Sequence, residues 1–179
     1  MKRGLVLLAN GFEDTEGIAT IDILLRAGIS LDVVSVMNEN TITTQCHNTL
    51  VLNKNINDCN TDDYDFLFIP GGGAVKNYLV KQEKISKIIL EFSKTNRLIT
   101  TICAAPMLVG LLGLFENRKF TCYPGCETGI NGKYTGTGVQ VSDNFITGKS
   151  MGYSIEFGLE VVKYLLGNGI YNQLKQSIF

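Results

Sequence analysis

Short, largely apolar runs that alternate with helical stretches constrain the fold of this chain more than any other feature. Residues 5–9 form a run without a polar interruption, which is typical of a strand covered on both faces, and residues 65–70 and 98–102 are further core strands. After the first run, Ile18, Ile21, Leu24 and Leu25 recur at helical spacing, and residues 29–36 then form another strand. This β-α-β order predicts a three-layer α/β/α sandwich with a mostly parallel central sheet.

The later elements continue the alternation. Helices are predicted over residues 83–95, 107–114 and 152–166, followed by a short C-terminal helix. Residues 41–44 and 49–52 are predicted to form short strands of a hairpin or of an edge segment. Residues 140–142 and 145–147 are predicted to form two strands joined by a turn. The inward-facing residues are predicted to be Ile85, Ile88, Ile89 and Phe92 in one helix and Ile155, Leu159, Val162 and Leu166 in another. Because no repeat or linker interrupts the pattern, residues 1–179 are predicted to form a single domain.

The charge balance narrows the range of partners. The net charge is −1, and no long basic run is present, so neither nucleic acid nor an anionic membrane surface is an expected partner. No apolar stretch is long enough to span a bilayer. With 45% hydrophobic residues, the chain is able to bury a sizeable core.

The five cysteines do not form a metal-binding pattern. Cys122 and Cys126 have C-x3-C spacing, but a structural zinc site needs two further ligands, and the single histidine, His47, is far away in the sequence. We therefore expect no metal and no cofactor. An odd number of irregularly spaced cysteines favours free thiols in a reducing cytoplasm.

Three strand ends carry unusual residues. The first strand is followed by an acidic segment that contains Glu13, Asp14 and Glu16, the third by the glycines 71–73, and the fourth by Cys103. Sites in open parallel sheets form beyond the carboxyl ends of the strands. If these strands are neighbours, a carboxylate, a glycine loop and a thiol converge. Glu13 and Asp14 are expected mainly to stabilise the start of the first helix.

Cys103 is the cysteine whose local sequence predicts reactivity. It lies where residues 98–102 end and a helix begins, so backbone N–H groups are expected to point toward its sulfur and to favour the thiolate. The alternative is that Cys103 is a small buried apolar residue. Residues 71–73 either form only a tight turn or offer amides to an oxyanion.

Four motifs, in order, resemble those of the DJ-1/ThiJ/PfpI superfamily, and within it the DJ-1/YajL-like branch. They are the opening strand with its acidic loop at residues 5–16, the glycine turn at residues 69–73, the cysteine elbow at residues 102–106 and the late strand-to-helix segment at residues 148–157. The resemblance covers nearly the whole chain. It implies a flavodoxin-like sandwich and a homodimer.

The resemblance also implies roles for individual residues. Cys103 matches the family's reactive cysteine, and Glu16 matches the glutamic acid that stays protonated and donates a hydrogen bond to the thiolate. The oxyanion-type amides match Gly72 and Ala104. A neutral carboxyl stabilises a neighbouring thiolate, whereas an ionised one repels it, so Cys103 and Glu16 are treated as a coupled pair.

Other positions carry two interpretations. Gly73, Tyr123 and Lys149 are predicted to line the pocket, although Tyr123 is equally well explained as a packed aromatic and Lys149 as a solvated lysine. Cys122 is interpreted as a core residue rather than as a resolving thiol. Cys46 matches a position near the family's dimer interface.

One departure from the family pattern limits the chemistry. Tyr123 stands where some members have a histidine near the cysteine, and a tyrosine is a poor base near neutral pH. A Cys–His–acid triad is therefore not expected. Protease and glutamine amidotransferase activities are not expected either, because both would need that histidine as the general base.

Two functions remain open. In the first, Cys103 acts on small reactive carbonyls such as methylglyoxal, or on their adducts with proteins, as a cofactor-independent glyoxalase or deglycase. In the second, the protein is a stress-responsive redox sensor or chaperone in which peroxide oxidises Cys103 to the sulfinate, without turnover of a small molecule.

Overall fold

The chain folds into eleven strands and five α-helices, and seven of the strands form one large sheet. A computed structural model describes all of residues 1–179. The strands are β1 (Arg3–Leu8), β2 (Ser30–Ser35), β3 (Thr41–Thr43), β4 (Thr49–Val51), β5 (Lys54–Asn55), β6 (Phe66–Ile69), β7 (Leu98–Ile102), β8 (Lys119–Phe120), β9 (Lys133–Tyr134), β10 (Val139–Ser142) and β11 (Phe145–Gly148). The helices are α1 (Asp14–Arg26), α2 (Gly73–Asn77), α3 (Glu83–Lys94), α4 (Pro106–Gly110) and α5 (Ser154–Ile178).

The central sheet has seven strands in the order β10-β11-β7-β6-β1-β2-β5. Every neighbouring pair is parallel except β10 and β11, which form an antiparallel hairpin at one edge. Helices lie on both sides of this sheet. The predicted sandwich with a mostly parallel sheet is thus confirmed.

The core is continuous across the sheet. It contains 43 buried hydrophobic residues, and the side chains of Phe66 to Ile69 in β6 are all completely buried. Phe68 packs against Phe157 of α5, with ring centroids 5.8 Å apart. Burial of residues 4–8 of β1 and of all of β6 explains why these sequences lack the polar alternation of a half-exposed strand.

Two helix faces differ from the prediction. In α1, Ile18 and Leu25 are 44% and 52% exposed, while the buried face includes Glu16, Gly17 and Thr20. A Cβ on Gly17 would lie 2.4 Å from the ring of Phe12, so close packing rather than an apolar stripe defines this face. In α5, Ile155 is 42% exposed instead of buried.

Two helix lengths also differ. The helix after Cys103 ends at Gly110, four residues before the predicted end, and the chain continues in turns. The last helix is interrupted at Gly167, whose φ of 83° is not helical, so the predicted short C-terminal helix begins after this residue. None of the helices combines the length and the apolar composition needed to cross a lipid bilayer.

Candidate active site at Cys103

The three unusual strand ends meet at one edge of the sheet. β7, β6 and β1 are consecutive neighbours, so the segments that follow them lie side by side. Together they line a cavity of about 360 Å³. Its lining residues are Glu13, Glu16, Gln45, Gly72, Gly73, Lys76, Cys103, Ala104, Tyr123, Cys126, Ser150 and Met151.

Cys103 occupies a left-handed backbone conformation between β7 and α4. Its φ is 63°, which is uncommon for a residue other than glycine and often marks a functional site. Its N–H donates to the carbonyl of Gly148 at 2.8 Å, and its carbonyl accepts from the N–H of Tyr123 at 2.7 Å. The main chain of Cys103 is therefore fixed from two sides.

Glu16 lies beside Cys103 and has no exposure to solvent. Its Oε2 accepts a hydrogen bond from the Gly71 N–H at 2.9 Å, whereas its buried Oε1 has no nitrogen or oxygen partner. A Cβ on Gly71 would lie 2.6 Å from Glu16 Oε2 and 2.7 Å from Cys103 Cβ. Only a glycine therefore lets the carboxyl and the cysteine approach each other this closely.

Two other backbone N–H groups act on the ionisation of Cys103. The amides of Gly72 and Ala104 have no backbone acceptor, and both lower the pKa of the Cys103 thiol. Gly72 has a φ of 91°, and a Cβ there would lie 2.5 Å from both Glu13 N and Gly11 O. Because α4 has only five residues, these single amides, rather than a long helix dipole, supply the positive field.

The ionisations of Glu16 and Cys103 are coupled. Burial raises the pKa of Glu16 to about 7; a hydrogen bond with Cys103 opposes the rise, and the charge of Glu13 adds to it. Burial also raises the pKa of the Cys103 thiol, and ionised Glu16 raises it further, whereas the Gly72 and Ala104 amides lower it. The pair therefore shares one proton and carries one negative charge above about pH 7.

Glu13 and Asp14 do more than stabilise the start of α1. Glu13 is the N-cap residue, its Oε2 accepts from the Glu16 N–H at 2.7 Å, and it also lines the cavity. The Asp14 carboxylate accepts from Thr44 Oγ1, the Cys46 N–H and Asn48 Nδ2 at 2.6, 3.0 and 2.8 Å. Partial burial raises the pKa of Asp14, but these hydrogen bonds outweigh it and lower that pKa to about 2.

Most of the predicted site residues lie together. Gly73 and Tyr123 line the cavity as expected, but Lys149 does not. β11 ends at Gly148, and the two residues that follow Lys149, Ser150 and Met151, line the cavity instead. The lysine that lines it is Lys76 of α2. Cys122 is completely buried, as predicted.

Sequence reasoning missed Gln45, Lys76 and Cys126 at the site. Gln45 reaches it from the turn between β3 and β4, where its Oε1 accepts from the Gly73 N–H at 2.8 Å. Lys76 is one helical turn beyond Gly72, so its position beside the glycine loop follows from helical spacing once α2 is known. No group of three or more His, Cys, Asp or Glu side chains is positioned to hold a metal ion.

Comparison with known proteins covers nearly the whole chain. The model of the DJ-1/PfpI family matches residues 2–164. A protein of Methanocaldococcus jannaschii whose function is uncharacterised is 32% identical over 169 residues, covering 92% of this chain and 82% of that protein. The Parkinson disease protein 7 homolog of Danio rerio is 29% identical over 184 residues, covering 99% of this chain and 96% of that protein.

The fold is also similar to that of solved structures. Drosophila melanogaster DJ-1beta superimposes with a TM-score of 0.93 at 25% identity, over 99% of this chain and 97% of that one. Schizosaccharomyces pombe DJ-1 gives a TM-score of 0.86 at 27% identity, over 99% of this chain and 98% of that one.

Proposed function

This chain belongs to the DJ-1/PfpI family, and from that membership and the geometry around Cys103 we propose that it converts small reactive carbonyl compounds, or their adducts with protein amines. The observation that carries the proposal is the pairing of Cys103 with Glu16, whose buried Oε1 lacks a nitrogen or oxygen partner. In its protonated form this oxygen is a donor for the sulfur or for an oxygen bound to it.

The proposed reaction needs no cofactor. The Cys103 thiolate adds to the aldehyde carbon of a dicarbonyl such as methylglyoxal, and the amides of Gly72 and Ala104 stabilise the resulting oxyanion. Glu16 protonates that oxygen, and its carboxylate then moves the proton from the former aldehyde carbon to the neighbouring carbonyl carbon. The hydroxyl proton passes at the same time to the neighbouring carbonyl oxygen, so that the former aldehyde carbon becomes the carbonyl of a thioester. Water hydrolyses the resulting thioester, which releases lactate and the free thiol.

The cavity suits a substrate of this size. Its 360 Å³ lie near the lower end of the range for small-molecule sites, and it brings Lys76 and Glu13 to the same space as the thiol. Tyr123 contributes a hydroxyl group but no base near neutral pH, so proton transfer depends on Glu16.

The test is methylglyoxal consumption by purified protein. Cys103→Ser is expected to abolish turnover, and Glu16→Gln to reduce it by about 100-fold or more, because general acid–base catalysis typically contributes that much. Cys46→Ser changes an exposed cysteine outside the cavity and should leave the rate unchanged. Wild-type rates no higher than those in buffer would contradict the proposal.

A second candidate function is peroxide sensing, with or without chaperone activity. The same donors, Glu16 and the two amides, would stabilise the oxygens of a sulfinate on Cys103. During mild peroxide treatment, the Cys103 thiol should become resistant to alkylation before those of Cys46 and Cys59. Equal loss of all three thiols would argue against a sensor role.

We also propose that the protein forms a homodimer, because proteins of this family are typically dimers and α1 exposes the apolar side chains of Ile18 and Leu25. Light scattering should give about twice the 19.7 kDa mass of one chain, and a monomer would rule this out. A reducing compartment such as the cytoplasm suits its five unpaired cysteines.

A further inference from the structure

A second cysteine lines the cavity that contains Cys103. Cys126 is 2% exposed and is part of the cavity wall, together with Cys103 and Tyr123. The other three cysteines, Cys46, Cys59 and Cys122, do not line this cavity. Cys126 is therefore the second thiol that borders the same open cavity as Cys103.

Main-chain hydrogen bonds hold Cys126 in this position. The Tyr123 N–H donates to the Cys103 carbonyl at 2.7 Å, and the Cys126 N–H donates to the Tyr123 carbonyl at 2.9 Å, which closes a turn. Pro124 and Gly125, with a φ of 90° at Gly125, occupy the two central positions. Cys126 is thus attached to the Cys103 main chain through one hydrogen bond and one tight turn.

The turn is exposed to solvent. Residues 123–125 are exposed, and a Cβ on Gly125 would meet nothing within 4 Å. A disulfide needs the two Cα atoms to be within about 7 Å of each other. Any displacement that the disulfide requires would therefore fall on this short exposed turn rather than on the buried strand that ends at Cys103.

Cys122 is the competing thiol in the same segment, but its surroundings keep it protonated. Its Sγ lies 3.9 Å from Glu127 Oε2. Burial raises the pKa of Cys122 to about 12, with further contributions from the charges of Cys126 and Glu127. A protonated, completely buried thiol outside the cavity is a poor nucleophile toward Cys103.

From these contacts we propose that Cys126 is the resolving thiol of Cys103 and captures its oxidised form as an intramolecular disulfide. The inference rests on the peroxide reactivity proposed above for Cys103. It adds a reversible outcome to that reactivity, because a disulfide can be reduced by thiols, whereas a sulfinate generally cannot.

The chemistry balances with a hydroperoxide as the oxidant. The Cys103 thiolate attacks the O–O bond, which forms the sulfenic acid and releases an alcohol or, from hydrogen peroxide, water; the proton comes from Glu16 or solvent. The Cys126 sulfur then attacks the Cys103 sulfur. An S–S bond forms, the S–O bond breaks, and hydroxide leaves as water with the Cys126 proton. An external dithiol restores both thiols by exchange.

Peptide mapping of the non-reduced protein after two equivalents of hydrogen peroxide, the amount that full conversion of one thiol to a sulfinate consumes, tests the proposal. The expected wild-type product is a Cys103–Cys126 disulfide with the loss of two hydrogen atoms. In Cys126→Ala, the sulfinate of Cys103 should become the main product. Cys122→Ala removes the other buried thiol of the same segment and should still form the disulfide.

The outcomes separate this inference from the function on which it rests. Sulfinate at Cys103 in both wild type and Cys126→Ala would overturn the role of Cys126 while leaving peroxide reactivity intact. An unmodified Cys103 in every protein would overturn both. A Cys103–Cys122 disulfide would transfer the role to the wrong thiol and refute the proposal. The wild-type map requires no substitution, so it is informative even if a variant folds poorly.

Discussion

At the scale of single residues, the site depends on one shared proton. Glu16 is placed where neither water nor a nitrogen or oxygen donor reaches its Oε1, and Cys103 is the adjacent titratable group. The amides of Gly72 and Ala104 favour charge on the sulfur, while the Gly71 N–H favours charge on the carboxylate. The negative field of Glu13 acts against an ionised Glu16 and so supports the thiolate form.

Burial and Glu16 raise the pKa of the Cys103 thiol taken alone, but the coupled pair loses its first proton near pH 7. Since the Gly72 and Ala104 amides favour that charge on the sulfur, we expect alkylation of Cys103 by iodoacetamide to show a midpoint near pH 7, below the value of about 8.5 for a free thiol. Glu16→Asp shortens the side chain, withdraws the carboxyl from the sulfur and should move the midpoint upward. Cys46 provides an internal comparison, because a hydrogen bond to Asp14 and the Asp14 charge raise its pKa. A Cys103 midpoint above that of Cys46 would contradict the shared-proton description.

The raised pKa of Glu16 also makes stability depend on pH. A carboxyl that titrates near 7 when folded and near 4.5 when unfolded stabilises the protein fully below about pH 4.5, and this contribution is lost as pH rises through 7. The free energy of unfolding should fall by about 3 kcal/mol over this range relative to Glu16→Gln. Urea titrations of both proteins measure it, and a constant difference between them would refute the assignment.

At the scale of elements, the loop between β6 and α2 sets the distance between carboxyl and thiol. A Cβ on Gly71 would lie 2.9 Å or less from atoms of Glu16, Cys103 and Ile102, so the glycine is a geometric requirement of the site. The first turn of α1 supplies Glu16, and the end of β7 supplies Cys103. The site is therefore an assembly of three chain segments rather than a property of one motif.

Gly71→Ala should separate these groups and abolish the low alkylation midpoint of Cys103. It should also reduce carbonyl turnover by about 100-fold, because general acid–base catalysis requires hydrogen-bond contact. Gly169→Ala is the matched control, since a Cβ there meets nothing within 4 Å and its φ is not in the left-handed region. Both variants are measured by pH-dependent labelling and methylglyoxal consumption. Unchanged behaviour of Gly71→Ala would contradict the close approach.

The buried face of a helix could be predicted from the sequence where that face only packs against the sheet, and less well where it also carries a functional residue. In α3, Ile85, Ile88, Ile89 and Phe92 are buried as predicted, because this face only packs against the sheet. In α1, the apolar spacing was only partly right, because Leu24 is buried whereas Ile18 and Leu25 are exposed. The buried face also holds Glu16 for chemistry and Gly17 for close packing, which apolar spacing does not indicate. The location of Cys126 at the cavity could not be predicted, because it depends on how the turn at residues 123–126 folds back. That of Lys76 depends on α2, a helix that the sequence analysis did not predict.

At the scale of the whole molecule, one end of the sheet carries the candidate active site and the other carries a stabilising ion cluster. The cavity lies beyond the carboxyl ends of β1, β6 and β7. Away from it, the half-buried carboxylate of Asp32 in β2 accepts hydrogen bonds from Arg3 Nη2, Lys54 Nζ and the Tyr64 hydroxyl at 2.6, 2.9 and 2.7 Å. This ion cluster ties together β1, β2, β5 and the segment that enters β6.

Asp32→Asn should lower stability without changing the site. Replacing a charged acceptor of three donors costs about 1–2 kcal/mol, which corresponds to a Tm lower by about 2–8 °C in a protein of this size. The alkylation midpoint of Cys103 should not move. Asp22→Asn removes an exposed pair with Arg26 and should leave Tm unchanged. A shift in the Cys103 midpoint would show that the two ends are coupled.

The strand-end corner at Cys103 is secured entirely by its own peptide groups, through Gly148 on one side and Tyr123 on the other. Nothing in that attachment uses the sulfur. Replacing the Cys103 side chain should therefore remove the reactive thiol and leave the fold intact. Such a variant would be an inactive but folded form of the protein.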